Sequence, residues 1–96
     1  MPEPSALADD ACVIRAESAV STEIDGHAVI LEIETGAIFH LNQVGSRIWR
    51  MLETDARVGD VCEVLQQGFD VPADVCHGEV LEFLDEMRRR GLVAVG

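Results

Sequence analysis

The sequence predicts an α+β domain with a winged-helix-like layout, in which a three-stranded antiparallel sheet is followed by three helices. Two observations predict this fold. Apolar residues alternate with a period of two along residues 19–42, where Asp25-Gly26 and Gly36 mark tight turns. From Asn42 onward the apolar residues recur every three or four positions, which is the period of an amphipathic helix. A chain of 96 residues has room for one small core.

The three predicted strands cover about 19–24, 28–34 and 37–42. Side chains of the third strand alternate between two faces, with Ala37, Phe39 and Leu41 on one and Ile38, His40 and Asn42 on the other. We expect one face to join the core and the other to be mixed. A three-stranded meander leaves two edges, and the third strand is therefore open to pairing with another strand.

The helical part of the chain predicts three helices. The first follows Asn42, a favourable N-cap residue, and its apolar stripe consists of Val44, Ile48, Met51 and Leu52. The second covers about 58–68. The third runs from about 72 to 90, where Gly91 suits a left-handed C-terminal cap, and its apolar stripe consists of Val80, Phe83, Leu84 and Met87. The closing "LVAV" is expected to be extended and buried.

The N-terminal segment has a different composition. Residues 1–12 contain two prolines, small residues and three acids, so we predict a disordered tail ahead of a domain at 13–96. The segment "CVIRAES" is compatible with a short strand or with a docking arm. The three cysteines form no C-x-x-C pair and follow no signal peptide, which favours a cytoplasmic location.

The net charge of −11 disfavours polyanionic partners, because it repels them at physiological salt. A helix-turn-helix is also found in DNA-binding proteins, whose recognition helix carries cationic or amide side chains near its start. Here His77 is the one cationic candidate in the first three turns of the third helix. The Arg triplet at residues 88–90 lies at the far end, where it complements the helix dipole. We therefore predict that neither nucleic acid nor membrane is a partner.

Candidate catalytic and metal-binding residues do not form a recognisable site in the sequence. Cys76 and His77 are adjacent on a helix and point about 100° apart, and the remaining cysteines and histidines lack the spacing of a structural zinc site. No phosphate-binding or hydrolase motif occurs. We predict a protein that is not an enzyme and has no metal and no cofactor.

The stretch "ETGAIFHLNQVGSRIW" resembles the signature of the PqqD family, the small peptide chaperones of pyrroloquinoline quinone biosynthesis and their relatives in lasso-peptide and other ribosomal peptide clusters. The shared features are an aliphatic strand, Thr35-Gly36, a strand that ends at Leu41-Asn42, and Ile48-Trp49. "VGDVCEVLQQGFDV" and "EVLEFLDEMRRRGLV" extend the resemblance over about 19–95. Family members often carry an aromatic residue where Ile38 stands, which indicates a leader pocket of different shape.

The resemblance implies a RiPP recognition element, a domain that binds the leader of a precursor peptide as an extra strand beside its third strand, against its third helix. The implied partners are the precursor leader and a separate modifying enzyme, such as a radical SAM enzyme or a leader peptidase. The implied peptide-binding residues are Ala37, Ile38, Phe39, His40, Leu41, Val80, Leu81, Leu84, Asp85 and Arg88.

Two other functions stay open at this point. One is a winged-helix module that binds or regulates another protein, and the other is a small subunit that contributes a residue to the site of a peptide-modifying enzyme. Leu81 is the informative residue on the side of the third helix that would face the peptide, because it lies off the predicted core stripe. It either contacts the peptide or widens the core face of the helix. Trp49 is assigned to packing.

Overall fold

The computed structural model describes residues 11–68 and 72–95. Within these ranges the chain forms six strands and three helices: β1 (Cys12–Arg15), β2 (Ala19–Ile24), β3 (His27–Glu32), β4 (Ala37–His40), α1 (Gln43–Met51), β5 (Ala56–Arg57), α2 (Val58–Gly68), α3 (Ala73–Arg89) and β6 (Val93–Val95). The predicted α+β class and winged-helix-like layout are confirmed. Residues 1–10 of the predicted tail lie outside the described residues.

The strands form two antiparallel sheets, of which the sequence predicted one. The predicted sheet has the order β2-β3-β4, and the second has the order β5-β1-β6. The segment "CVIRAES" thus contributes β1, which pairs with β5 on one side and with β6 on the other. A strand that follows the helices therefore closes the domain onto its N-terminal segment.

The β2-β3 hairpin closes through the predicted two-residue turn. Ile24 pairs with His27, and the intervening Asp25 and Gly26 have φ angles of 54° and 81°. Positive φ at both positions matches the right-handed twist of the two strands. This turn fixes the register of β2 against β3, so the faces of these two strands follow from it.

One face of the β2-β3-β4 sheet packs on the helices. It presents Ala28, Ile30 and Glu32 of β3 and the half-buried Ala37 and Phe39 of β4. The opposite face, which we call the outer face, carries an apolar row in cross-strand register that consists of Val20, Leu31 and Ile38. Their exposed fractions are 54%, 40% and 61%, so the described residues leave this row uncovered.

Helix α1 is attached to the sheet at its N-terminus. The Oδ1 atom of Asn42 accepts a hydrogen bond from the Gly45 amide at 2.8 Å, which confirms Asn42 as the N-cap. The buried Ser46 hydroxyl accepts from the Ala28 amide at 2.7 Å and donates to the Leu41 carbonyl at 3.3 Å. These bonds fix the start of α1 directly beyond the end of β4.

Trp49 belongs to the core, where it joins both sheets to α1. Its side chain is buried, and its indole N–H donates to the Ser21 hydroxyl at 2.9 Å. The guanidinium of Arg15 lies 4.5 Å above the Trp49 ring, and its Nε and Nη2 donate to the Trp49 carbonyl at 3.0 and 2.7 Å. The β1 strand is thereby held against the helix.

Helices α2 and α3 complete the core. The buried stripe of α3 consists of Cys76, Val80, Leu84 and Met87, and the Cys76 thiol lies 3.8 Å from the carbonyl oxygen of Cys62 in α2. Gly91 has a φ of 76°, which confirms the predicted left-handed position after α3. Within the described residues, no helix is long and apolar enough to cross a membrane.

Candidate functional site

The free edge of β4 presents unpaired main-chain groups. Within the described residues, β4 pairs with β3 on one side and with no strand on the other. The Leu41 amide donates to the Ala28 carbonyl at 2.9 Å, and bonds in an antiparallel ladder alternate. Phe39 therefore directs its amide and carbonyl toward Ile30 of β3, whereas Ile38 and His40 direct theirs away from the sheet.

A cavity of about 340 Å³ opens beyond the end of this edge. It lies between α1, α2 and α3, and its lining is mostly apolar. The lining residues are Asn42, Val44, Gly45, Ile48, Leu65, Cys76, Glu79, Val80 and Phe83. Its volume is at the lower end of the roughly 300–1,000 Å³ found for ligand pockets.

A shallower concavity continues from the cavity along α3. It is lined by Glu79, Glu82, Phe83, Glu86 and Arg89, so Glu79 and Phe83 border both hollows. Toward the other end of the helix, the Arg90 guanidinium lies 5.4 Å from the centre of the Phe39 ring. We call the surface formed by residues 37–42 and this flank of α3 the β4–α3 groove.

The structure brings together the five strand residues that the family resemblance implies. Ile38 and His40 are exposed on the outer face, and their main-chain groups form the free edge. Ala37, Phe39 and Leu41 are half-buried on the side of the sheet that faces the helices. The strand thus contributes backbone groups at one set of positions and apolar side chains at the alternate set.

The five implied helix residues are divided between the core and a different flank. Val80 and Leu84 are buried to 1% and 0% exposure, although Val80 also borders the cavity. Leu81 and Asp85 are two positions from Phe83, and Arg88 is five, which places all three on the flank opposite the groove. Leu81 packs partly against the core. Sequence periodicity could not show which flank of the buried stripe adjoins β4.

The residues that the structure places on the groove flank are Glu79, Glu82, Phe83, Glu86 and Arg89, with Arg90 directly beyond the end of the helix. The sequence pattern did not indicate them as peptide-binding. Phe83 was assigned to the core stripe but is only half-buried. The sequence did offer one signal, since a glycine inside a helix, such as Gly45, indicates that another element approaches closely. In the structure, an added Cβ at Gly45 would lie 3.0 Å from Phe83 Cε1. The close approach made possible by Gly45 is thus between α1 and α3.

The charges near the C-terminal end of α3 are paired with one another. Arg88 and Arg89 donate to the Asp85 carboxylate at 2.6 and 2.9 Å. The hydrogen bond from Arg88, with a smaller contribution from Arg89, lowers the pKa of Asp85. The Arg triplet therefore has intrahelical partners, as Arg90 lies 3.3 Å from Glu86. This pairing agrees with a structural role for the triplet at the end of α3.

The site combines hydrogen-bonding groups with apolar surface. Burial, together with the nearby Glu79 carboxylate, raises the pKa of the Cys76 thiol, so the residue stays in its neutral form at the wall of the cavity. Among residues 11–68 and 72–95, no three histidines, cysteines or acids are grouped in a way that could hold a metal ion. What the groove offers is hydrogen-bonding backbone beside apolar hollows.

Comparison with known proteins finds a matching family and similar solved structures. The model of the family described as coenzyme PQQ synthesis protein D (PqqD) matches residues 27–93. A solved structure described as TbiB1 in complex with the TbiA(beta) leader peptide has 29% sequence identity and a TM-score of 0.80, covering 83% of this chain and 93% of that chain.

A second solved structure supports the fold alone. It is described as lasso peptide synthetase B1 complexed with the leader peptide, and its TM-score is 0.77 over 85% of this chain and 96% of that chain. Its sequence identity is 16%. No curated protein sequence gives a significant match.

Proposed function

The chain belongs to the PqqD family, and we propose that it binds the leader region of a ribosomally made precursor peptide by strand addition at β4 and presents that peptide to a separate modifying enzyme. The observation that carries this proposal is the free edge of β4 beside an apolar cavity. The leader peptide bound to the similar structure of 29% sequence identity supports it.

Binding at the β4 edge combines main-chain hydrogen bonds with side-chain contacts. The outward main-chain groups of Ile38 and His40 can exchange hydrogen bonds with an added strand, whatever the sequence of that strand. Alternate side chains of the added strand then point toward α3, where the cavity and Phe83 provide apolar contacts. Backbone pairing supplies affinity, and the side-chain hollows supply sequence selectivity.

The domain acts in this proposal through binding without chemistry of its own. Holding the leader next to a modifying enzyme converts an encounter between two molecules into an intramolecular one, which raises the effective concentration of the core peptide. The partner enzyme is a radical SAM enzyme or a leader peptidase. Its own site would carry out the reaction, in keeping with the neutral Cys76 thiol in this chain.

Replacing Ile38 with Pro tests strand addition. Proline removes the outward amide of Ile38 and leaves the β3–β4 ladder bonds of Phe39 and Leu41 in place. We expect affinity for synthetic leader peptides of lasso-type precursors to fall by about tenfold or more, because a backbone donor is lost and the proline ring obstructs the incoming strand. Isothermal titration calorimetry measures the change.

The matched control is Ile38→Ala, which keeps the amide and shortens only an exposed side chain. It should retain most of the affinity. Circular dichroism and the melting temperature establish that both variants are folded. If a folded Ile38→Pro protein binds leader peptides as tightly as the wild type, strand addition at this edge is wrong, and the alternative of a protein interaction module gains support.

A further inference from the structure

The composition of the cavity limits which leader side chain can enter it. Apart from Asn42 and Glu79, its lining is apolar or small, including Val44, Ile48 and Leu65. The Asn42 amide oxygen already accepts the capping bond from Gly45. A charged or amide side chain placed in the interior would lose its hydration without a matched partner, whereas an aliphatic one would bury apolar surface.

Two carboxylates stand where the cavity opens onto the groove. Glu79 borders both hollows, and Glu82 borders the outer one. Both are exposed. Glu86, one turn further along, has Arg90 as its ion-pair partner at 3.3 Å. In the described part of the chain, no Arg or His forms an ion pair with Glu79 or Glu82.

The rest of the molecule strengthens this local negative potential. The net charge is −11, and the seven arginines are the full set of Lys and Arg residues. The two arginines nearest the groove are already paired: Arg89, which borders the outer hollow, is held by Asp85, and Arg90 is held by Glu86. A peptide with an acidic residue at the cavity mouth would therefore be repelled, and a basic residue would be attracted.

The geometry of an added strand fixes where the basic residue should be. Residues at i and i+2 of a strand point to the same face. A strand paired with β4 that places one side chain in the cavity would direct the side chains two positions away toward the same flank of α3. The long apolar stem of Lys or Arg can follow this flank past Phe83 while its charged end reaches Glu79 or Glu82.

We infer, on the basis of the proposed function, that the leader peptide recognised by this chain carries an aliphatic residue with a Lys or Arg two positions away. The aliphatic side chain fills the cavity between α1 and α3, and the basic side chain pairs with Glu79 and Glu82. These two carboxylates are thus specificity-determining residues, and they select against leaders that carry an acid at the same position.

Selection from a random peptide library displayed on phage tests this inference, and it does not require the natural leader to be identified. The library is selected on the wild-type domain, and peptides that also bind the Ile38→Pro variant are removed. The remaining peptides are those that depend on the β4 edge. We expect them to share an aliphatic residue with Lys or Arg enriched two positions away.

A double variant and its control then locate the preference. Glu79→Gln/Glu82→Gln removes the two carboxylates at the cavity mouth. Glu17→Gln/Glu63→Gln removes two other exposed carboxylates, which lie outside the groove, and changes the net charge equally. The first double variant should bind a selected peptide about threefold to tenfold more weakly, and the control should bind it nearly as the wild type does.

A double-mutant cycle distinguishes direct ion pairing with Glu79 and Glu82 from attraction by the net negative charge of the protein. Replacing the basic residue of the selected peptide with Gln should remove the difference between the wild type and Glu79→Gln/Glu82→Gln. Edge-dependent peptides without a basic preference, or equal losses in the two double variants, would overturn this inference and leave the proposed function standing. Recovery of no peptide that depends on Ile38 would overturn both.

Discussion

Glu32 is a buried carboxylate whose two oxygens both accept hydrogen bonds. The Ser18 hydroxyl donates to Oε2 at 2.6 Å, and the Glu34 amide donates to Oε1 at 2.6 Å. These bonds lower the pKa of Glu32 below its ordinary value, and the bond from Ser18 has a larger effect than the bond from the Glu34 amide. The ionised side chain thereby fixes the turn that leads from β3 into β4.

Stability should therefore depend on the ionisation of Glu32. Because the folded pKa lies below the unfolded one, the stabilisation is fully present above the unfolded pKa and is lost as the pH falls through the folded pKa. Urea unfolding across the acidic range should show a shallower decrease for Glu32→Gln than for the wild type. The exposed Glu63→Gln serves as control and should keep the wild-type profile. Parallel profiles for wild type and Glu32→Gln would contradict this role.

Single residues differ in how far the sequence reveals their roles. Asn42 was predicted as an N-cap from its residue type at the start of a helical pattern, and the amide that it caps, that of Gly45, is only three residues away. The burial of Glu32 depends on Ser18, which is 14 positions away and meets it only through the pairing of β2 with β3. Strand alternation assigns a residue to a face but does not show which polar residue finds a partner there.

At the scale of elements, the contact between α1 and α3 shapes the cavity. Gly45 is buried, and a Cβ at this position would meet Phe83 Cε1 at 3.0 Å and Asn42 Oδ1 at 3.3 Å. Gly78, within α3, has no atom within 4 Å of the equivalent position. Substitutions at Gly45 and Gly78 therefore distinguish the effect of helix propensity from the effect of packing between helices.

Alanine at the two glycines should have different effects. Gly78→Ala should raise the free energy of unfolding by about 1 kcal/mol, because alanine is the better helix former and meets no obstruction. In Gly45→Ala the contact with Phe83 should offset that gain, and the displaced ring should weaken leader-peptide binding severalfold. Urea unfolding and peptide titration measure the two effects. Equal stabilisation by both substitutions, with unchanged peptide affinity, would show that the α1–α3 contact is not tight.

The elements themselves were largely predictable, but their mutual orientation was not. The hairpin turn and the stripe of α3 follow from local signals, namely Asp25-Gly26 and the spacing of Val80, Leu84 and Met87. Which flank of α3 adjoins β4 depends on contacts such as that between Arg90 and Phe39, which are 51 positions apart in the sequence. The implied roles of Leu81, Asp85 and Arg88 in peptide binding stay predictions on the flank where the structure places them.

At the scale of the whole molecule, the second sheet closes the domain. Val13 of β1 is fully buried and pairs with Ala56 of β5 and with Val95 of β6. The sequence left the state of this segment open because β5 has two residues and β6 has three, too few for a period to appear. The β2-β3-β4 sheet is left with its β4 edge beside α3, which is the arrangement that the proposed function requires.

Amide hydrogen exchange, measured by NMR with and without a saturating leader peptide, tests the central claim most directly. The amides of Ile38 and His40 point away from β3 and should become protected on binding, whereas that of Phe39 already faces β3. The amides of Ser21 and Glu23, which point outward at the opposite edge of the sheet, should not change. Protection of Ile38 and His40 alone is the result that strand addition at β4 predicts; a saturated complex that protects Ser21 and Glu23 instead, or protects neither edge, would contradict it.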